Sequence, residues 1–152
     1  MTPGRHVRVE HEHHYDVPLQ TGFAYITDPA NWPAYWPGLV RVEPGSRWGA
    51  PGDKTRLRVR LLGREVELRM RLRRFERNRV VEYESSQDGL PDARHERHFD
   101  AAGSGFRYRL VVEYEPRPGL RGLYDRVIVR RGIEQALRRT ATNLERELAA
   151  AA

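Results

Sequence analysis

No cysteine occurs in the 152 residues, so the chain can form no disulfide, use no thiol nucleophile and offer no thiolate to a metal. Lysine is almost absent as well: Lys54 stands alone, and every other basic side chain apart from the histidines is an arginine. Nothing approaches the roughly 18 consecutive apolar residues that a membrane-spanning helix needs. Charges and histidines crowd the first residues, where a secretory leader would carry an apolar stretch, so a cytoplasmic location is expected. The chain also lacks a Gly-x-Gly-x-x-Gly ahead of a helix, a phosphate loop ending in Gly-Lys-Ser/Thr, a Gly-x-Ser-x-Gly elbow and a His-Glu-x-x-His helix. No cofactor is expected. Nor is a metal centre: His11 and His13 form a same-face pair beside His14, but no further ligands follow at metal spacing.

The length fits one domain, taken as residues 1–152, with no linker, repeat or low-complexity tract to mark a second. The net charge is +6. A nucleic-acid binder gathers its positive charge into a patch. Here Arg56, Arg58 and Arg60, and again Arg69, Arg71 and Arg73, alternate with apolar residues, which puts them on the solvent side of a sheet. Glu65, Glu67, Glu82, Glu84, Glu113 and Glu115 are spaced to pair with them across strands. An ion-paired outer surface is therefore favoured over one that awaits an anionic partner, and nucleic acid is not the expected partner.

Alternation also marks the strands. Val7, Val9, His11 and His13 share one parity until Pro18 intervenes. Leu39 to Val42 reads as a short strand before a Pro/Gly loop from Pro44 to Gly52. Thr55, Leu57, Val59 and Leu61, a turn around Leu62-Gly63-Arg64, then Val66, Leu68, Met70 and Leu72 make the clearest hairpin. Val81, Tyr83 and Ser85, the polar run Arg94 to Phe99, and Phe106 to Tyr114 complete six or seven antiparallel strands. Leu19 to Thr27 has a helical face that ends at Asp28-Pro29, and Asn31 to Gly38 holds little more than one further turn. From Leu120 to Ala150 there is no proline, and Leu123, Val127, Ile133, Leu137, Ala141, Leu144 and Leu148 recur at three or four residues, the pattern of a long amphipathic helix. Gly122 weakens it locally and Gly132 is a candidate bend.

The stretch Tyr25-Ile26-Thr27-Asp28-Pro29-Ala30-Asn31-Trp32-Pro33-Ala34-Tyr35-Trp36-Pro37-Gly38-Leu39 resembles the polyketide cyclase/dehydrase-like branch of the START and Bet v 1-like (SRPBCC) superfamily. There an aspartate-proline turn precedes an aromatic-rich second helix, and the element order matches along nearly the whole chain. The resemblance implies an α+β helix-grip fold: a curved antiparallel sheet around a long C-terminal helix, with two short helices after the first strand. It also implies a deep cavity for hydrophobic or amphipathic molecules. Some members cyclise or aromatise polyketides, and others carry lipids, sterols or quinones. A shared fold constrains the container more than the chemistry.

Parity directs Leu57, Val59, Leu61, Leu68, Met70, Tyr83, Phe106, Tyr108 and Leu110 to the concave side. Trp32, Tyr35 and Trp36 either wall the cavity mouth or pack the short helices onto the sheet. His95 shares a face with Arg97 and Phe99, whereas His98 joins Arg94 and Glu96 on the other. A histidine beside Tyr108 can orient or deprotonate a polar ligand, and Arg97 can stabilise an enolate or carboxylate. The candidate catalytic set is therefore His95, Arg97, Tyr108 and Tyr35. Candidate ligand contacts are Trp32, Trp36, Leu57, Val59, Leu68, Met70, Tyr83, Phe106 and Tyr108. Asp28 and Asp53 adjoin turn residues and are read as local Asx acceptors. Three functions stay open: binding or transport of a lipid or polyketide-like molecule, a cyclase, aromatase or dehydratase-like enzyme, and a protein or nucleic-acid interaction module on the arginine-rich sheet. The chain is expected to be a monomer or a homodimer.

Overall fold

Seven strands form one antiparallel sheet: β1 (Val7–Tyr15), β2 (Leu39–Val42), β3 (Lys54–Leu61), β4 (Arg64–Glu76), β5 (Val80–Ser86), β6 (Ala93–Ala102) and β7 (Gly105–Tyr114). The computed structural model describes residues 6–61 and 63–151, without the side chain of Leu61. The inward orientation expected of Leu61 and the Leu62 position of the expected turn lie outside those residues; Leu61 and Arg64 are register partners across that turn. The strand order is β1-β7-β6-β5-β4-β3-β2. Consecutive strands β1 and β2 thus occupy opposite edges, and the chain crosses between them through α1 (Leu19–Ile26), a 3₁₀ turn (Pro29–Asn31) and α2 (Trp32–Tyr35). From β2 onward each strand pairs with the next, so the sheet is a meander closed by β7 against β1.

Pleat parity sorts the two faces. Leu57 pairs with Leu68 and Val59 with Val66 on one side, while Arg58 faces Glu67 and Arg60 faces Glu65 on the other. In β4 the register slips between Leu72 and Arg74. The extra residue leaves both Arg73 and Arg74 exposed and turns Phe75 toward Phe23, 5.5 Å away between ring centres. Ion pairs cover the outer face: Arg8 with Glu10, Glu96 and Glu113, Arg107 with Glu12 at 2.8 Å, Arg73 with Glu84 at 2.9 Å and Arg58 with Glu43 at 3.3 Å. Exposed pairs of this kind contribute about 0–1 kcal/mol each, so their main effect is to neutralise the sheet surface. The two aspartates act within their own loops: Asp28 accepts from the Ala30 N–H at 3.0 Å, and Asp53 accepts from Gly49 and Ala50, both at 2.9 Å.

The C-terminal segment contains α3 (Leu120–Tyr124), a π-helical turn (Asp125–Val129) and α4 (Arg130–Ala151). Gly132, the candidate bend, lies inside regular α4; the irregularity falls upstream, where Asp125 is drawn into the protein. Asp125 is completely buried. Its carboxylate accepts from the Arg117 guanidinium at 2.8 and 3.0 Å and from the Arg117 backbone N–H at 2.8 Å, while its carbonyl accepts from the Tyr114 hydroxyl. Burial, reinforced by the Asp125 charge, pushes the Tyr114 phenol up to about 12, so it remains a donor. Further along, Leu137, Ala141, Leu144 and Leu148 of α4 face the core. Tyr15 donates to the Ala141 carbonyl at 2.8 Å, and Asn143 donates to the Tyr35 carbonyl at 3.0 Å. Each fully buried leucine contributes about 1.5–3 kcal/mol. Among the described residues no helix is long and apolar enough to cross a membrane.

Hydrogen bonding to Arg117 holds the Asp125 carboxyl below its ordinary value against the opposing effect of burial. Its stabilisation is therefore full above about pH 3.9 and is lost as pH falls through the lower folded-state value. Asp125→Asn is expected to lower stability by about 2–3 kcal/mol at neutral pH. Urea titration near pH 7 and again in acid checks this, since the loss should shrink as the native carboxyl protonates.

Candidate functional site

Between the inner face of the sheet and the C-terminal segment lies a cavity of about 430 Å³. That is within the roughly 300–1,000 Å³ typical of small-molecule sites. Its floor comes from β3 to β7, one wall from Trp32, Tyr35, Trp36 and Trp48, and its roof from Ile128, Val129, Gly132, Ile133, Ala136 and Thr140. Short side chains at Gly132, Ala136 and Thr140 leave the roof shallow over the sheet.

The polar groups gather on β5 and β6. Tyr83 and His95 are register partners, and their rings stack at 4.3 Å with only 5° between planes. His95 Nε2 lies 2.7 Å from the Ser85 hydroxyl. The Arg97 guanidinium donates to the Tyr83 hydroxyl at 3.0 Å and lies 5.6 Å from the centre of that ring. Trp48 meets Tyr83 edge-on at 5.2 Å and Trp32 at 5.4 Å, extending the aromatic wall toward Trp36. Asp53, by closing the Gly49–Ala50 turn, shapes the loop that presents Trp48.

Two nitrogens in this group, Arg97 Nη1 and His95 Nδ1, are shut off from solvent and lack a hydrogen-bond partner among the described residues. Burial acts against the Arg97 charge, but the phenol oxygens of Tyr83, Tyr108 and Tyr35 favour it, and the balance lies above the ordinary arginine value. Burial first, and the Arg97 charge second, push the His95 imidazole well below its usual value, so it is neutral at pH 7. Tyr83, Tyr108 and Tyr35 are all raised by burial despite the nearby guanidinium, so all three phenols keep their protons. The site thus presents a fixed cation, a neutral imidazole and phenols on an otherwise apolar wall.

The structure brings together His95, Arg97, Tyr108, Tyr35, Tyr83, Trp32, Trp36, Val59, Leu68 and Met70 around this cavity. His98 is turned outward, 3.1 Å from Glu96. Tyr35 already donates its hydroxyl proton to the Ile26 carbonyl at 2.8 Å, and the Trp32 indole donates to the same oxygen at 2.9 Å, so both also satisfy the end of α1. Leu57 and Phe106, expected among the ligand contacts, are fully buried in the core and are not among the residues lining this cavity. Phe106 is covered by α1, whose Gly22 approaches so closely that a Cβ there would meet the ring at 2.2 Å. Ser85, Trp48 and the roof residues escaped the sequence analysis as site members. Ser85 shares the parity of Tyr83, which was a usable signal, whereas a lone tryptophan in a Pro/Gly loop carried none. His11 and His13 point toward α4 instead, with His13 3.7 Å from Glu145.

The family model for polyketide cyclase / dehydrase and lipid transport matches residues 6–149, and the chain belongs to that family. No curated protein matches it in sequence. Among solved structures it is similar to TTHA0849 from Thermus thermophilus, with 19% identity and a TM-score of 0.80 over 96% of this chain and 99% of that one. It is also similar to Ara h 8.0201, with 14% identity and a TM-score of 0.75 over 95% and 99% of the two chains. A third likeness is to the Zhui aromatase/cyclase from Streptomyces sp. R1128, with 16% identity and a TM-score of 0.74 over 95% and 94%. At these identities the likeness establishes the helix-grip fold.

Because His95 is harder to protonate in the folded protein than in the unfolded chain, its neutral form stabilises the fold above about pH 6.5. That contribution falls as pH drops from there toward the folded-state value, by at most about 1.4 kcal/mol per pH unit. His11, lowered by burial and then by His13 and Arg138, adds a second share with the same sign. Urea midpoints between pH 5 and 7 are expected to fall with acid, and His95→Gln should flatten the slope without abolishing it.

Proposed function

We propose that the protein binds a small amphipathic molecule non-covalently, with its apolar body in the cavity and an oxygen-bearing head against Arg97. The observation that carries this reading is that Arg97, a cavity-lining residue, has a buried Nη1 with no hydrogen-bond partner, and no carboxylate at ion-pair distance, among the described residues. A charge left in such surroundings costs several kcal/mol, so the site favours a molecule that brings an acceptor oxygen. Tyr83 fixes one edge of the guanidinium and leaves another for the ligand. Trp32, Trp36, Leu68 and Met70 then contact the apolar body. Lipid-like and polyketide-like molecules share this division between an apolar body and an oxygen-bearing head.

A second reading, a cyclase or aromatase-like reaction in the same cavity, is supported by the family and by the free Nδ1 of neutral His95. Folding a poly-β-ketone there would place a carbonyl oxygen at Arg97, where an enolate is stabilised, with His95 accepting a proton. The arginine-rich sheet as an interaction surface has the weakest support, because ion pairs occupy most of its arginines, Arg56 and Arg71 being exceptions among the described residues.

Native mass spectrometry with dodecanoic acid and dodecanol tests the first reading. An equimolar complex with the acid is expected, and Arg97→Met should weaken it about ten- to a hundredfold while changing dodecanol binding little. Failure to take up any member of an acyl and polyketone panel would count decisively against it. For the second reading, products formed from a poly-β-ketone should change in His95→Gln and Arg97→Met; identical products from folded variants would remove both side chains from the chemistry.

A further inference from the structure

Along α3 and the π-helical turn, a stripe of apolar side chains faces outward. Leu120 is 89% exposed, Leu123 64%, Ile128 51%, Tyr124 44% and Val127 40%. Spacings of three and four residues put them on one side of the helix, opposite the buried Gly122 and Asp125. This inverts the pattern of α4, where Leu137, Leu144 and Leu148 turn inward. Arg121, Arg126 and Arg131 are exposed around the stripe. Unlike Arg117 and Arg130, which are held by Asp125 and Glu134, these three have no carboxylate partner among the described residues. Charge that is paired at most positions over the sheet is left open here, next to the most exposed large apolar side chains.

We propose that this stripe docks on a bilayer surface bearing anionic headgroups, with Leu120 and Leu123 entering the acyl boundary and the arginines meeting phosphates. Apolar residues flanked by unpaired arginines are the pattern of a helix that lies in the membrane interface. A second copy of the chain fits poorly, because a two-fold contact would set each arginine cluster against its own like charge. Tyr124 and Ile128 decide between a bilayer and an acidic protein. Both are exposed on the stripe and also line the cavity, so the outer apolar surface runs into the inner one. An apolar molecule can pass over these two side chains between bilayer and cavity without crossing water. The link to ligand exchange rests on the cavity reading proposed above; the docking itself does not.

Flotation with vesicles of equimolar phosphatidylcholine and phosphatidylglycerol tests the proposal, beside vesicles of phosphatidylcholine alone. Binding is expected to the anionic vesicles at low salt, with little to the neutral ones. Arg121→Gln, Arg126→Gln and Arg131→Gln should weaken it about fivefold for each arginine removed. The double variant Leu120→Ser, Leu123→Ser changes no cavity-lining residue; it should weaken docking at least about tenfold and leave dodecanoic acid uptake unaltered. Absence of flotation at low salt, or equal flotation with neutral vesicles, overturns the proposal. So does a dimer that dissociates in the leucine variant, or retention by polyglutamate without vesicle binding. Vesicle binding without acid uptake sinks the cavity reading and leaves docking standing, whereas uptake without vesicle binding does the reverse.

Discussion

The cavity exists because the C-terminal helical segment is fastened at two places and bridges the sheet between them. At its entry Asp125 is buried against Arg117 and Tyr114, while Tyr15, Asn143, Leu144 and Leu148 secure α4 further along. Between these anchors the inward positions include Gly132, Ala136 and Thr140, which are too small to reach the floor. Dense packing is the rule in protein interiors, so unfilled volume needs side chains held apart by structure on both sides. The π-helical turn begins at the buried Asp125, and its last residues, Ile128 and Val129, line the cavity.

Arginine has three distinct roles set by where the backbone places it. On the outer sheet it is mostly paired with glutamate, which lets a strongly basic chain present a largely compensated face. From α3 to the start of α4, Arg121, Arg126 and Arg131 stand without carboxylate partners among the described residues, beside exposed leucines. Inside, Arg97 sits among phenols that favour its charge, and one of them, Tyr83, accepts from the guanidinium without adding a full negative charge. A carboxylate in the place of Tyr83 would have closed the site upon itself; a phenol leaves part of the cation for a ligand. Stacking on His95 and the edge contact with Trp48 hold that phenol still.

Much of the fold was legible because period-two alternation has one physical meaning in a sheet with a dry face and a wet face. The Thr55–Leu72 hairpin and the separation of His95 from His98 followed from parity alone, and the register agrees. Parity separates faces but not depth: Leu57 and Phe106 do face inward, yet neighbours cover them completely. Local propensity misdirected attention to Gly132, because glycine lowers helix stability wherever it stands, while the real distortion came from a carboxylate satisfied by Arg117, eight residues upstream.

By itself, the sequence determined the order of strands and helices, the face on which most strand side chains lie and the family, since these depend on local periodicity and short-range chemistry. Tertiary structure alone decided which inward residues border open volume, which arginines find carboxylates, and that Trp48 reaches Tyr83 from a loop. Those outcomes depend on distances between segments far apart in the chain, which sheet curvature and the two helix anchors set.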